Sequence, residues 1–80
     1  MLKPMQCRAG RALVNMLQEE LAKSANVSRN TIVDFEKERR VPGPNNLIAI
    51  RKALEAAGVV FISDENGVGA ILTAAPSTMP

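Results

Sequence analysis

Eighty residues with ten Lys and Arg against eight Asp and Glu make one small domain of net charge +2, compatible with nucleic acid but not diagnostic of it. A hydrophobic content of 46% allows a core, which two phenylalanines and no Trp or Tyr make aliphatic, and which in so short a chain would gain from dimerisation. One cysteine excludes an internal disulfide, the lack of histidine argues against zinc, and no apolar run suits a signal peptide or a membrane span, so a cytoplasmic protein without metal or cofactor is expected.

The periodicity predicts a first helix over residues 4–14. Pro4 suits a first helical turn, where its missing N–H costs nothing. Met5, Ala9, Ala12, Leu13 and Met16 recur at helical spacing and are expected to face inward, with Arg8 and Arg11 largely outward. Cys7 reads as a small buried filler, since no His or second Cys is present to activate it. Asn15 suits a left-handed helix end. A second helix follows over 18–25. Glu19 and Glu20 lie in its first turn, where the helix dipole favours acid. Leu21, Ala22 and Ala25 form its inward face, and the small Ala22 lets another helix cross closely. Asn26 fits a second left-handed turn, and Val27 is the apolar plug after it.

Ser28 is a good N-cap for a third helix. Setting Ile32 and Phe35 inward points Asn30, Asp34 and Lys37 outward, flanked by Arg29 and Val33. A helix that leads with outward polar residues is the surface a major-groove reader presents. Lys37, Arg39 and Arg40 come next, and Pro42-Gly43-Pro44 then stops any helix and stiffens a loop. A fourth helix is expected over 45–57, capped by Asn45 or Asn46, with Leu47, Ile50, Ala53, Leu54 and Ala57 along one face and Gly58 closing it. The period then changes. Residues 59–62 read as a strand, 63–67 as a turn with an Asn-Gly pair, and 68–73 as the returning strand, with a bulge or bend at Gly69. A lone hairpin is unstable in water, so this one must pack on the helices or on another hairpin. Residues 74–80 read as a flexible, frayed tail.

From Gln18 to Glu36 the pattern Q-E-E-L-A-K-x-A-x-V-S-R-x-T-I-x-x-F-E resembles the helix-turn-helix of Cro and phage-repressor proteins, the xenobiotic-response-element family of small bacterial and phage regulators. It is most similar to short members that append a hairpin, and the resemblance covers residues 1–68. Ala22, Val27, Ile32 and Phe35 fill the small or apolar slots that set the angle between the two motif helices. The resemblance implies a mainly α fold: a compact four- to five-helix repressor-like DNA-binding domain over 1–58 with a β-hairpin extension over 59–73. It also implies no enzyme activity and binding of double-stranded operator DNA, usually as a homodimer. By position, Gln18 matches a phosphate or base contact. Ser28, Arg29 and Asn30 match the leading residues of a recognition helix over 28–38, Thr31 and Val33 its flanks, and Asp34 a later groove-facing position. Arg39 and Arg40 match the loop along the DNA backbone.

The chemistry agrees with those positions. Arg29 can fork onto guanine O6 and N7 and Asn30 can bridge adenine N6 and N7, each pair worth about 1–3 kcal/mol of discrimination. Asp34 can accept from a cytosine amino group, repel phosphate, or pair with Lys37 or Arg29. Arg39 and Arg40 either hold phosphate, adding salt-sensitive affinity, or belong to a solvated run of alternating charge.

Several positions depart from the family. Leu17 stands where a Ser or Thr usually caps the second motif helix, a loss of about 1 kcal/mol. Asn15 and Asn26 replace two turn glycines, and Met16 a typical aromatic. Glu38 replaces the glycine that usually ends the recognition helix, so a longer helix is expected. Val60 and Ile71 stand where related hairpins tend to carry charge. With Val59 and Phe61 inward, Val60 and Ile62 face out, and 70–72 is equally apolar. This leaves two readings of Val60, Phe61, Ile62, Ala70, Ile71 and Leu72: a homodimer interface, or a cover for the protein's own core. The expected function is a small transcriptional repressor. The alternative is a protein-interaction module, antitoxin-like or an adaptor, that uses the hairpin. Catalysis lacks any supporting residue set.

Overall fold

The computed structural model describes residues 1–73; the predicted tail at 74–80 lies outside the described residues. Four helices and a hairpin follow in order: α1 (Pro4–Leu13), α2 (Gln18–Ala25), α3 (Arg29–Glu36), α4 (Pro44–Ala56), β1 (Val59–Asp64) and β2 (Gly67–Leu72). The predicted mainly α, repressor-like architecture is therefore the one observed.

The helix ends follow local chemistry. Asn15 and Asn26 adopt the expected left-handed conformation, at φ of 54° and 58°. In the second turn the Val27 amide reaches back to the Ala22 carbonyl at 2.9 Å, and Val27 packs on the core. α2 starts without a side-chain cap at Leu17, yet half of a capping box survives, since the Leu17 N–H donates to Glu20 Oε1 at 2.7 Å. α4 begins one residue earlier than predicted. Gly43 takes the cap position and Pro44 the first helical position, so neither Asn45 nor Asn46 is the cap.

α1 corrects the predicted phase. Its buried residues are Gln6, Cys7 and Gly10, and Arg11 is half-buried, while Met5, Ala9, Ala12 and Leu13 face solvent. The inner face is polar because each polar group finds a distant partner. The Gln6 amide donates to the carbonyls of Ile62 and Gly69 at 3.0 and 3.2 Å and accepts from the Lys3 N–H at 2.9 Å, so it ties α1 to both strands. Among the described residues, no buried side-chain nitrogen or oxygen lacks a partner. Phe61 and Leu54 both lie against Gly10. A Cβ there would lie 3.4 Å from both, an ordinary contact. Gly10→Ala is therefore expected to raise stability by about 0.5–1 kcal/mol through helix propensity, read as a higher Tm, whereas Gly10→Leu should overpack the site and lower it.

The strands pair antiparallel in continuous register, Val60 opposite Ile71, Phe61 opposite Ala70 and Ile62 opposite Gly69; no bulge forms at Gly69. Asp64 Oδ1 accepts from the amides of Asn66 and Gly67 and shapes the turn. Val59 is buried, and Phe61 and Ala70 pack against the core formed by Leu21, Ile32, Phe35, Leu47, Ile50 and Leu54. The hairpin thus belongs to the helical core. Phe61 and Ala70 leave the predicted interface set for that core, and Val60, Ile62, Ile71 and Leu72 remain exposed.

Candidate nucleic-acid interface

The helix-turn-helix is positioned by a few buried contacts. Ala22 is nearly inaccessible, and so are Leu21 and Ala25 beside it; so small a side chain at 22 allows α3 to cross close to α2. Ile32 and Phe35 anchor α3 from below. Ser28 caps it, its Oγ accepting from the Thr31 N–H at 3.2 Å.

That anchoring fixes what α3 presents. Ser28, Arg29 and Asn30 are exposed, as are Lys37, Arg39 and Arg40, while Thr31, Val33, Asp34 and Gln18 are half-buried. Asn30, Thr31, Asp34, Arg40 and Asn46 line one polar cleft of about 440 Å3 between α3 and the loop leading into α4. A second hollow, about 200 Å3, is lined by Leu17, Gln18, Glu19 and Arg29, so the leading ends of α2 and α3 lie side by side. Of the predicted contact residues, Ser28, Asn30, Thr31, Asp34 and Arg40 line the first hollow and Gln18 and Arg29 the second, whereas Val33, Lys37 and Arg39 line neither, Lys37 being the C-cap residue of α3.

The end of α3 differs from expectation. The helix stops at Glu36, and Glu38 takes a left-handed conformation at φ 61°, the role a glycine usually fills. The Arg39 amide then returns to the Asp34 carbonyl at 2.8 Å. An Arg8 guanidinium N–H also donates to the Glu36 carbonyl, satisfying an acceptor the helix end leaves open. Arg39 thus lies in a loop, and it is Arg39, neither Lys37 nor Arg29, that pairs with Asp34.

Glu36 is buried, at the centre of a polar cluster. Arg11 forks onto it, Nε to Oε2 and Nη2 to Oε1, both at 2.7 Å. Gln18 Nε2 donates to Oε1 at 3.0 Å and the Cys7 thiol to Oε2 at 3.1 Å. Burial by itself would raise the Glu36 pKa, but the hydrogen bonds from Arg11, Cys7 and Gln18 outweigh it and hold the carboxyl below its ordinary value. The bond to Glu36 raises the Arg11 pKa in return. Burial, followed by the hydrogen bond to Glu36, pushes the Cys7 thiol far up, so it is inert at neutral pH. The cluster joins α1, the start of α2 and the end of α3. Gln18, singled out as a DNA contact, has one amide hydrogen committed to it and keeps the rest of its amide for a ligand. Sequence reasoning missed Arg11 and Glu36, 25 residues apart. The one available signal was Cys7, Arg8 and Arg11 falling on a single face of α1.

Among the described residues, no group of three or more His, Cys, Asp or Glu side chains is placed to hold a metal ion, and no helix is long and apolar enough to cross a membrane. The helix-turn-helix family profile matches residues 8–57, from the middle of α1 through the end of α4. No curated protein matches the chain.

Proposed function

This chain belongs to the Cro/C1-type helix-turn-helix family of DNA-binding regulators, and from that premise we propose that it is a repressor, two copies of which read one operator. The observation that carries the reading is the surface of α3. Ile32 and Phe35 hold the helix from below, while Arg29 and Asn30 stand free at its capped leading end. Those two side chains supply forked contacts to guanine and adenine edges in the major groove. Arg40, in the cleft that Asn30 also lines, together with Lys37 and Arg39, supplies phosphate contacts that position the helix without reading sequence. Gln18 and Thr31 contact the backbone at the margins, and Val33 contacts a base methyl group. The test is an anisotropy titration against duplex DNA from upstream of the protein's own gene, over a salt series. Specific binding with a steep negative salt slope is expected. Equal affinity for random duplex would overturn the repressor reading.

One recognition helix covers too few base pairs for tight specificity, and paired half-sites lie about 34–36 Å apart. The exposed Val60 and Ile71, directly opposite each other on the outer sheet face, with Ile62 beside them, support a homodimer built on the hairpin. Light scattering at tens of micromolar is expected to give a dimer mass. Combining Val60→Glu with Ile71→Arg places opposite charges across the strands, preserving the hairpin while returning a monomer. A monomeric wild type would remove the interface. The same apolar face supports a second reading, a protein-interaction module of antitoxin or adaptor type, which gains if a folded wild type shows no preference for any duplex.

A further inference from the structure

Asp34 occupies an unusual place on the reading surface. It is half-buried on α3 and lines the cleft that also contains Asn30 and Arg40. Its Oδ1 lies 3.5 Å from Arg39 Nε, and its carbonyl accepts from the Arg39 and Arg40 amides at 2.8 and 3.4 Å. One residue of the reading helix therefore gathers both loop arginines, by backbone in each case and by side chain for Arg39. Arg40 carries no such side-chain restraint among the described residues.

A carboxylate only accepts hydrogen bonds. Phosphate oxygens repel it, and in the major groove it gains only from amino groups, cytosine N4 above all. Arg39 has the opposite preference. While it is held by Asp34 it is a neutralised cation, and once released it is a phosphate ligand. An exposed ion pair of this kind is weak in water, so a base-edge donor can displace it.

We propose that Asp34 is a specificity-determining latch: it keeps Arg39 off the DNA backbone until a duplex offers Asp34 an amino group, and Arg39 then turns to phosphate. This rests on the DNA-binding reading above. Coupling the Asp34 base contact to a backbone contact lowers affinity for the wrong sequence more than for the right one.

The test compares wild type, Asp34→Asn, Arg39→Ala, Arg40→Ala and the double variant Asp34→Asn/Arg39→Ala on a random-sequence duplex over a sodium chloride series. Asparagine preserves the shape of the side chain and the backbone bonds, and a thermal melt verifies folding. Asp34→Asn is expected to bind random duplex about fivefold tighter, with a salt slope steeper by about 1. In the Arg39→Ala background that gain should shrink to about twofold or less. An equal gain in both backgrounds would overturn the latch, since Asp34 would then act by bare repulsion. Independently, Arg39→Ala should cost less random-duplex affinity than Arg40→Ala, because Arg39 is already engaged; equal losses count against the proposal. If wild type binds no duplex, the DNA-binding reading fails along with it. If wild type binds and Asp34→Asn changes nothing, the latch alone fails.

Discussion

Arg11→Ala is expected to lower Tm by more than about 12 °C, because it strands a buried carboxylate. Glu36 is almost inaccessible, and Arg11 is its one ion-pair partner among the described residues. Removing one member of a buried pair typically costs about 3–5 kcal/mol, at about 4–8 °C per kcal/mol for a domain of this size. That is a large share of a total stability near 5–15 kcal/mol. Removing both charges is expected to cost far less: Arg11→Met with Glu36→Leu leaves no ion unpaired and recovers most of the loss. A double variant as unstable as Arg11→Ala would contradict this account of the cluster.

The same pair predicts an acid response. Glu36 titrates lower in the folded chain than its ordinary value of 4.5, so the unfolded chain takes up the proton first as pH falls. The contribution is complete above about pH 4.5 and is lost as the pH falls through the lower, folded value. Melting between about pH 6 and pH 3 should show a steeper decline in wild type than in the Arg11→Met/Glu36→Leu variant. Parallel declines would contradict it.

Replacing Arg29 and Asn30 together by alanine is the second large change. Each forked base contact is worth about 1–3 kcal/mol, so affinity for the preferred site should drop about a hundredfold or more. Random-duplex affinity should fall only severalfold, since one cation is lost. Both side chains are exposed, and the Ser28 cap remains intact, so Tm should change little. Equal losses on preferred and random DNA would assign Arg29 to phosphate and leave base reading to other residues.

The parts legible in the sequence were those settled within a few residues of themselves. Asn26, Val27 and Ser28 mark the turn and the cap locally, and Ile32 with Phe35 sets the phase of α3; all of this the fold repeats. The Val59/Phe61 inward alternation was readable for the same reason. α1 was not, because hydropathy counts apolar residues and its inner face is Gln6, Cys7, Gly10 and Arg11. Those residues are buried by partners at 36, 61, 62 and 69, a relation no local pattern carries. The burial of Glu36 was not legible for the same reason, since its partner Arg11 lies 25 residues away in the chain. Glu38 invited a longer helix by propensity. The Asp34 carbonyl, taken by the Arg39 amide, and the Glu36 carbonyl, taken by Arg8, end the helix instead.

The central claim is that α3 lies in the major groove with Arg29 and Asn30 against base edges. Dimethyl sulfate probing of the bound duplex tests it directly, because guanine N7 faces the major groove and adenine N3 the minor. The expected result is protection of guanine N7 in two clusters about one helical turn apart, with adenine N3 open, and loss of that protection in Arg29→Ala. Protection of adenine N3 with guanine N7 left reactive would contradict the account.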